Sequence, residues 1–355
     1  MKVLHVAESI KGGIATQLCA LWQAQAAAYG AANVRLAVPA GHAGELTAVP
    51  AQQIRRLPHA PRGPFGVVRH LRAVAAAIRG EAPDVVHAHS AFAGAATRLL
   101  KAAGQCPAPI VYCPHGWAFD RAGRSPATWL YRAVELGLAP LSAAILCISK
   151  HDLRRARAAG IPRRRLRLVY NGLPESPHPR PGCDRPAATQ RADVLRIAFV
   201  GRLDRQKGFD VLHAAVGRLQ RPVEVICVGD AVLGDGGAPF RGADEKAVAY
   251  RGWLPPAGVA AELHRADVAV VPSRWEGFGL AAAEALREGT PVIATRRGGL
   301  PEVVAHDVTG WLISAPDPAV LADALESLEP ERLARWQRAA GARFRTHFTA
   351  PAMSA

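Results

Sequence analysis

Short apolar runs alternate with longer segments of helical periodicity along most of the chain. Continuous runs rich in Val, Ile and Leu, separated by amphipathic helices, are typical of a parallel sheet that is covered on both faces. In the first half, the pattern predicts strands at residues 2–7, 33–38, 84–88, 109–113, 144–148 and 166–170, and helices near 14–29, 65–79, 91–103, 128–138 and 150–159.

A second series of the same kind follows a break in the pattern. Residues 174–193 are rich in proline and polar side chains and lack periodicity, which is typical of a linker. After this segment the pattern predicts strands near 195–200, 223–228, 247–251, 267–271 and 291–294, and helices near 208–220, 257–265, 279–288 and 317–327. One more helix is predicted over 331–348, with Trp336, Phe344 and Phe348 as packing residues.

The two series predict an α/β protein with two doubly wound, Rossmann-like domains. We place an N-terminal domain at 1–173, the linker at 174–193, a C-terminal domain at 194–330, and a terminal helical segment at 331–355 that packs back towards the N-terminal domain. Ligands of doubly wound sheets bind beyond the carboxyl ends of the strands. We therefore expect the ligand site in a cleft between the domains.

The charge of the chain is unevenly placed. The net charge is +15, and residues 1–193 carry 25 Lys and Arg against 10 Asp and Glu, whereas residues 194–355 carry 19 against 19. A basic domain beside a neutral one suggests a polyanionic partner for the basic domain. The densest basic run contains Arg154, Arg155, Arg157, Arg163, Arg164, Arg165 and Arg167.

Two interpretations of this run stay open: a solvated face, and a surface that adsorbs to anionic lipid. The sequence contains no recognised nucleic-acid motif, so we expect no nucleic acid partner. We also expect no membrane-spanning helix, no secretory signal and reduced cysteines without a zinc site. The expected location is the cytoplasm, with peripheral contact to the inner face of the cell membrane if lipid adsorption occurs.

The first candidate site follows the strand that ends at Val200. Gly201 permits a tight turn, Arg202 and Lys207 supply two cations, and a helix starts after Gly208. Two cations and a helix N-terminus at the mouth of a strand suit a phosphate. The segment is not a Walker A loop, because G-x-x-x-x-G-K-[ST] is absent.

The second candidate site lies in the segment 271–288. Glu276 lies in a loop with Gly277 and Gly279, and Glu284 lies on the helix that follows. The two glycines allow the backbone to approach a ligand closely and to direct N–H groups at it. Carboxylates accept hydrogen bonds from sugar hydroxyls, so the two glutamates could hold two separate hydroxyl clusters.

These motifs belong to a larger set, through which nearly the whole chain closely resembles the retaining GT-B glycosyltransferases of family 4. The resemblance rests on an ordered set of motifs: Gly12-Gly13, His115-Gly116, Asn171-Gly172, Gly201-Arg202 with Lys207-Gly208, Val228-Gly229-Asp230, Glu276-Gly277-Phe278-Gly279-Leu280 with Glu284, and Gly298-Gly299-Leu300-Pro301-Glu302. The ordered set is specific, although each motif alone is weak.

The resemblance implies a role for each matching residue. Arg202 and Lys207 would bind the donor diphosphate and stabilise the departing nucleotide, and Glu284 would hold the ribose hydroxyls. Glu276 would hold hydroxyls of the transferred sugar. The remaining donor-side residues would be Gly13, Gly201, Gly277, Phe278, Gly279 and Leu280, with residues 251–254 at the nucleotide base.

On the acceptor side we place Gly12, His89 and His115, and the resemblance implies that His115 lies near the sugar and acceptor. We take His115 as a catalytic candidate together with Arg202, Lys207 and Glu276, because a proline and a glycine flank it and expose it. His89 ends a strand and lines the acceptor side in one interpretation, while a packed histidine is the other. His5 lies inside the first strand and is expected to be structural.

The implied reaction develops negative charge on the leaving diphosphate, which two fixed cations would stabilise in the transition state. A metal could supply the same charge, but no D-x-D triplet occurs in the sequence, so we expect no metal and no cofactor. The expected substrates are a UDP- or GDP-sugar and a glycan or lipid-linked acceptor. Two alternatives remain: a sugar-nucleotide epimerase of similar architecture, and an inactive nucleotide-sugar or polyanion-binding protein.

Overall fold

The structure is a computed structural model that describes residues 1–10, 12–58, 63–121, 126–176, 194–230 and 248–354. It divides into two compact units: the first contains Met1–Gly172 and Met353–Ala355, and the second contains Leu173–Ala352. Residues 177–193, which make up most of the predicted linker, lie outside the described residues.

The first unit is built on a parallel sheet. Its described strands are β1 Val3–Ala7, β2 Val34–Pro39, β3 Ile54–Leu57, β4 Val85–His89, β5 Ile110–Cys113, β6 Ala144–Cys147 and β7 Leu166–Leu168. They lie in the order β3-β2-β1-β4-β5-β6-β7. The strand order therefore reverses direction between β1 and β4, which makes the crevice beyond these two strands the expected ligand position.

Helices cover the two faces of this sheet. They are α1 Gly13–Tyr29, α2 Pro64–Glu81, α3 Ala91–Ala102, α4 Ala118–Arg121, α5 Pro126–Leu138 and α6 Lys150–Ala158, with short 3-10 segments at Ala31–Asn33, Ala40–Glu45, Ala51–Gln53, Ala139–Leu141 and Arg163–Arg165. Leu4 and Val6 face the core beneath α2, while Leu36 and Val38 face Leu18 and Trp22 of α1. Both faces of the sheet are therefore buried, which explains the continuous apolar runs in its strands.

The second unit repeats this plan. Its described strands are β8 Leu195–Val200, β9 Val223–Val228, β10 Val248–Gly252, β11 Val268–Val271, β12 Val292–Thr295 and β13 Gly310–Ile313. Their order is β10-β9-β8-β11-β12-β13, and every pair is parallel. The helices are α7 Phe209–Val216, α8 Pro256–Arg265, α9 Leu280–Arg287, α10 Leu300–Val303, α11 Pro318–Glu326 and α12 Pro330–His347. The order reverses between β8 and β11.

These two sheets confirm the predicted class of two Rossmann-like domains. The sequence pattern missed two edge strands, β3 and β13, for physical reasons. The sequence of β3 is Ile-Arg-Arg-Leu, which has too few apolar residues to stand out. β13 is four residues long and begins at Gly310, where a Cβ would overlap the carbonyl oxygen of Val292.

The terminal helix α12 groups with the second unit. That the segment 331–355 packs back towards the first domain stays a prediction. Trp336 lies in the core of the second unit, with its ring 6.2 Å from that of Trp311. Phe348 packs edge-on against Phe278 at 5.5 Å. The last helix, α13 Ala350–Ser354, crosses the division, and Met353–Ala355 group with the first unit. Among the described helices, none is both long and apolar enough to cross a bilayer.

Candidate functional site

The predicted donor residues gather in the second unit, where the loops that follow β8, β11 and β12 meet. Arg202 and Lys207 lie in the loop after β8, and Glu276 lies in the loop after β11. Because β8 and β11 are neighbours at the point where the strand order reverses, their loops flank one crevice. The parallel sheet therefore brings together residues that are about seventy positions apart in the sequence.

Lys207 and Glu276 form an ion pair across this crevice. The Lys207 Nζ lies 2.7 Å from the Glu276 Oε2, and both side chains are largely buried. Ser273 donates a second, longer hydrogen bond of 3.4 Å to the same carboxylate oxygen. The ammonium group and the carboxylate are thus presented at one position, where a phosphate and a hydroxyl group of a single ligand could both be bound.

Asp204 organises the cationic loop, and the sequence analysis did not identify it. One of its carboxylate oxygens lies 2.9 Å from the Nη2 of Arg202, and the other accepts the backbone N–H of Lys207 at 2.9 Å. Gln206 accepts a further hydrogen bond of 2.7 Å from Arg202. Asp204 is almost fully buried, so it fixes the guanidinium group and the loop backbone together. An aspartate in a charged loop gave no sequence signal that separates this role from a solvated surface charge.

The Glu276 loop packs against a second glycine pair, Gly298 and Gly299. The sequence pointed to this pair as part of the family resemblance but not as part of the site. A Cβ on Gly298 would overlap the carbonyl oxygen of Glu276, and a Cβ on Gly299 would lie 2.6 Å from the carbonyl oxygen of Gly277. Gly298 also has a φ of +56°, in the left-handed region. Only glycine allows two backbones to approach so closely. The glycine pair therefore fixes the distance between the Glu276 loop and the loop after β12.

Glu284 lies one turn inside α9, whose N-cap is Gly279 with a φ of +101°. Burial raises the pKa of the Glu284 carboxyl, while the positive charges of Arg287 and Lys207 oppose this effect. Lys207 therefore acts electrostatically on Glu284 as well as on Glu276, with which it pairs. Phe278 is buried beneath the loop, and Leu280 begins the helix.

Two further contacts position the edges of this region. Arg274 makes two hydrogen bonds to Asp210, at 2.8 and 2.6 Å, and thereby ties the loop after β11 to α7. This pairing holds the pKa of Asp210 below its ordinary value. Residues 251–254, which we expected at the nucleotide base, lie at the end of the edge strand β10, where Arg251 is 3.5 Å from Glu262 and Trp253 is half-exposed.

The predicted acceptor-side residues lie in the first unit at the reversal between β1 and β4. Gly12 caps α1 with a φ of +74°, and Gly13 is its first residue. His89 is the last residue of β4, and His115 follows β5 with a φ of +54°. A positive φ is uncommon outside glycine and points to a conformation that its surroundings enforce.

The histidines at this edge contact one another, which the sequence analysis did not predict for His5. The Nδ1 of His5 lies 3.0 Å from the Nε2 of His89, and the Nδ1 of His89 lies 2.9 Å from the Nε2 of His115. The ring of His87 packs against that of His89 at a tilt of 32°, with ring centroids 4.1 Å apart. Burial lowers the pKa of His5 to about 4 and the pKa of His87 and His89 well below the ordinary value.

Among the described residues, His5, His87 and His89 are the group whose nitrogens lie close enough together to be considered as metal ligands, within 4.8 Å of one another. The described residues of the donor site offer two cations and three carboxylates and do not form a cluster of that kind. This combination suits a ligand that carries both phosphates and hydroxyl groups.

Comparison with known proteins agrees with this geometry. Residues 195–329 match the family model described as glycosyl transferases group 1, and residues 12–172 match the glycosyl transferase 4-like domain. The D-inositol 3-phosphate glycosyltransferase of Xylanimonas cellulosilytica is 31% identical over 349 residues, which cover 88% of this chain and 82% of that protein. An uncharacterised 41.2 kDa protein in the cps region of Klebsiella pneumoniae is 28% identical, with 92% and 90% covered.

Solved structures share the fold along the whole chain. Sucrose-phosphate synthase from Thermosynechococcus elongatus superposes with a TM-score of 0.80 at 21% identity and covers 100% of this chain and 96% of its own. The Anabaena protein HepE in complex with UDP and glucose also gives a TM-score of 0.80, at 20% identity, with 99% and 97% covered. With both halves matched by the family models and both sheets shared with these structures, the chain belongs to the group 1, or family 4, glycosyltransferases of the GT-B fold.

Proposed function

We propose that this enzyme transfers a hexose-type sugar from a UDP- or GDP-sugar to a glycan or lipid-linked acceptor, with retention of the anomeric configuration, in the synthesis of a surface polysaccharide or glycolipid. The observation that carries the proposal is the arrangement of Arg202, Asp204, Lys207 and Glu276 around one crevice. The HepE complex with UDP-glucose and the cps-region relative support the donor and the biosynthetic role, respectively.

Arg202 and Lys207 are assigned to the donor diphosphate. The bond between the sugar and the diphosphate breaks during transfer, and negative charge then accumulates on the leaving phosphate. Cations that are already oriented stabilise this charge without reorganising, so they lower the barrier more than they strengthen ground-state binding. Asp204 keeps Arg202 oriented before the donor arrives, since it is itself buried and held by the loop backbone.

Glu276 is assigned to hydroxyl groups of the sugar, and Glu284 to the ribose hydroxyls. Glu276 lies 2.7 Å from Lys207, so a sugar held by the carboxylate has its phosphate next to the ammonium group. The backbone N–H groups of Gly277, Phe278 and Gly279 lie in the same loop, ahead of α9. Two cations can supply the charge stabilisation that a metal supplies in other transferases, so we propose metal-independent transfer.

We assign no general base to the reaction. In a retaining transfer of this kind the acceptor attacks from the side of the leaving group, and the departing phosphate can take the acceptor proton. His115 is proposed to lie near the sugar and acceptor, with Gly13 over the phosphates and Gly12 and His89 on the acceptor side.

The experiment is a transfer assay with UDP-, GDP- and ADP-sugars and a panel of glycan and polyprenyl-linked acceptors. We expect nucleotide release that depends on the acceptor, and an anomeric configuration in the product, measured by NMR, that matches the donor. An inverted product would reject retention. Isomerisation of the donor without transfer would identify an epimerase, and donor binding without turnover across the panel would identify a binding protein; either result rejects the proposal.

We further propose that the first unit binds anionic membrane through α5 and the neighbouring arginines. Trp129 and Leu130 of α5 are 71% and 64% exposed, and Val134 lies exposed on the same helix. Arg132 donates hydrogen bonds to the carbonyl groups of Ala158 and Ala159, which places α5 beside the arginine-rich segment that follows. Exposed there are Arg154, Arg155, Arg157, Arg163, Arg164 and Arg167.

Apolar side chains next to a basic surface suit the interface of an anionic bilayer, because the rings enter the headgroup region while the arginines meet the lipid charge. Sedimentation with vesicles of phosphatidylglycerol and phosphatidylcholine tests this. We expect binding at low salt, loss at high salt, and a several-fold loss in a Trp129→Ser/Leu130→Ser variant but not in Trp253→Ser, whose tryptophan is exposed in the second unit. Absence of binding at low salt would reject the membrane surface.

A further inference from the structure

Three imidazole rings lie end to end across the first sheet. His5 and His89 have nitrogens 3.0 Å apart, ring centroids 5.2 Å apart and planes 24° from parallel. His89 and His115 repeat this geometry, with nitrogens 2.9 Å apart, centroids 5.2 Å apart and planes 20° from parallel. Each centroid distance exceeds the nitrogen distance by about two ring radii, so the facing nitrogens lie close to the line that joins the two centroids. This is a continuous hydrogen-bonded chain of imidazoles.

The ends of the chain set its direction. At one end, the Nε2 of His5 lies 2.8 Å from the Oε1 of Gln25, an acceptor. At the other end, the Nδ1 of His115 lies 3.7 Å from the Sγ of Cys113. Burial raises the pKa of Cys113 to about 12, so the sulfur carries its proton and can donate it in a hydrogen bond to His115.

One direction then satisfies every pair. Cys113 donates to the Nδ1 of His115, and the Nε2–H of His115 donates to the Nδ1 of His89. The Nε2–H of His89 in turn donates to the Nδ1 of His5. The chain ends where the Nε2–H of His5 donates to Gln25. Each ring accepts one hydrogen bond and donates one, so each ring is neutral and carries its proton on Nε2. The nearly complete burial of His5 and His89 favours the same neutral state, because an imidazolium would lose its solvation there.

The same nitrogens do not suit a metal ion in this arrangement. The Nδ1 of His5 and the Nε2 of His89 point at each other across 3.0 Å, and the midpoint between them is too close to either nitrogen for a Zn–N bond of about 2.0–2.1 Å. A proton fits between the two nitrogens without any movement of the rings. We therefore assign the cluster to hydrogen bonding.

We propose that His5, His89 and Gln25 are positioning residues that hold His115 in a single ring orientation and tautomer through this chain. His115 is the residue that needs such support, because its φ of +54° is uncommon for a side chain with a Cβ. Both of its ring nitrogens face partners inside the first unit, so its ring is oriented by the chain and does not serve as a proton acceptor for the substrate. The inference rests on the proposed function only in that His115 lies near the sugar and acceptor.

The test is long-range ¹H–¹⁵N NMR of protein labelled at histidine, with resonances assigned through single histidine variants. At pH 7 we expect His5, His89 and His115 all to show the neutral Nε2–H pattern. Gln25→Leu removes the terminal acceptor and should change the tautomer pattern at His115, three hydrogen bonds away. Gln23→Leu, at an exposed position on the same helix, should leave it unchanged, and Gln25→Glu should retain the wild-type pattern because it keeps an acceptor.

A charged or Nδ1–H form at any of the three rings would overturn the proposal, as would an unchanged His115 in Gln25→Leu. These readouts need no activity, so they separate this inference from the proposed reaction. In the transfer assay, His5→Gln should lower kcat about tenfold or more, as expected when a remote change misplaces a group at the site. His70→Gln, at a buried histidine of the same unit outside the chain, should not. Equal effects of the two variants would reject the positioning role.

Discussion

The Nζ of Lys207 lies 2.7 Å from the Oε2 of Glu276, although the two residues belong to loops that follow different strands. The contact forms because β8 and β11 are neighbours in the sheet, so that their carboxyl ends open into one crevice. Lys207 is one of six lysines in a chain with 38 arginines. A compact ammonium group at this position can bind a phosphate as a point charge and still reach the carboxylate that we propose holds the sugar.

Asp204→Asn should lower kcat more than it weakens ground-state donor binding. The variant keeps the shape of the side chain but loses the charge that orients Arg202, so the guanidinium group is less well fixed when charge develops on the phosphate. We expect a loss of about 10- to 100-fold, since a hydrogen bond to a charged group contributes about 1.5–3 kcal/mol. Steady-state kinetics with the preferred donor measure it. Asp210→Asn, which alters a different arginine pair, is the control, and equal losses in the two variants would contradict the role of Asp204.

Gly298→Ala should destabilise the second unit strongly, because the new methyl group would overlap the carbonyl oxygen of Glu276. Gly252→Ala is a matched control: Gly252 has a similar φ of +65°, but among the described residues no atom lies within 4 Å of the added Cβ. The control should cost only the strain of the left-handed conformation, about 1–2 kcal/mol. Denaturant unfolding of both variants gives the comparison, and a Gly298 variant no less stable than the Gly252 variant would show that the two loops do not approach as described.

Glu284→Gln should stabilise the protein at neutral pH while it impairs transfer. Burial raises the pKa of Glu284 in the folded state above its ordinary value of 4.5, so the folded state favours the protonated carboxyl. The contribution of this carboxyl group to the free energy of unfolding is therefore fully present below pH 4.5 and is lost as the pH rises through the folded-state pKa. Glutamine does not ionise, so the variant does not lose stability in this pH range.

Thermal unfolding of wild type and Glu284→Gln from pH 4 to pH 8 measures this effect. The variant should have the higher midpoint at pH 7.5, and the difference should shrink towards pH 4.5. Glu326→Gln, at an exposed position of α11, should follow the wild type throughout. A difference that grows as the pH falls would have the opposite sign to the one expected and would show that the carboxylate form is favoured by folding.

The first unit contains a buried ion pair whose loss should destabilise it. The Nη1 of Arg98 lies 2.9 Å from the Oε2 of Glu135, and Tyr112 donates a hydrogen bond of 2.8 Å to the other oxygen. Glu135→Leu leaves a buried guanidinium group without its carboxylate, which typically costs about 3–5 kcal/mol. Chemical denaturation should show this loss, and Arg98→Met/Glu135→Leu should be less destabilised than Glu135→Leu alone. A double variant at least as unstable would mean that the charge pairing is not the cause.

The sequence predicted the fold class and the gathering of the donor residues, because both follow from local signals. Apolar runs predicted most of the strands. Segments at the ends of strands that combine glycines with charged side chains pointed to Arg202, Lys207 and Glu276. The catalytic and binding roles of these residues stay predictions, as do those of Glu284 and His115. What the sequence did not reveal depends on contacts between distant segments.

Asp204 and His5 illustrate this limit. Asp204 lies in a loop where any charged residue could be solvated, and only the structure shows that both its oxygens are used inside the fold. We expected His5 to be structural, since a histidine within a strand gives no other signal. The sequence does not show that its ring bonds to His89, which is 84 residues away in the sequence and adjacent only because β1 pairs with β4.

The central claim is that Arg202, Lys207, Glu276 and Glu284 form the site that cleaves a nucleotide sugar. Acceptor-dependent nucleotide release by the Lys207→Ala variant, compared with Arg205→Ala in the same loop, tests it most directly. Arg205 is exposed, so its loss should leave the rate within about twofold of the wild type. We predict a fall in kcat of about 10²–10³-fold for Lys207→Ala, the size seen when a fixed group that stabilises developing charge is removed. A Lys207→Ala variant that folds normally and turns over as fast as Arg205→Ala would contradict the account.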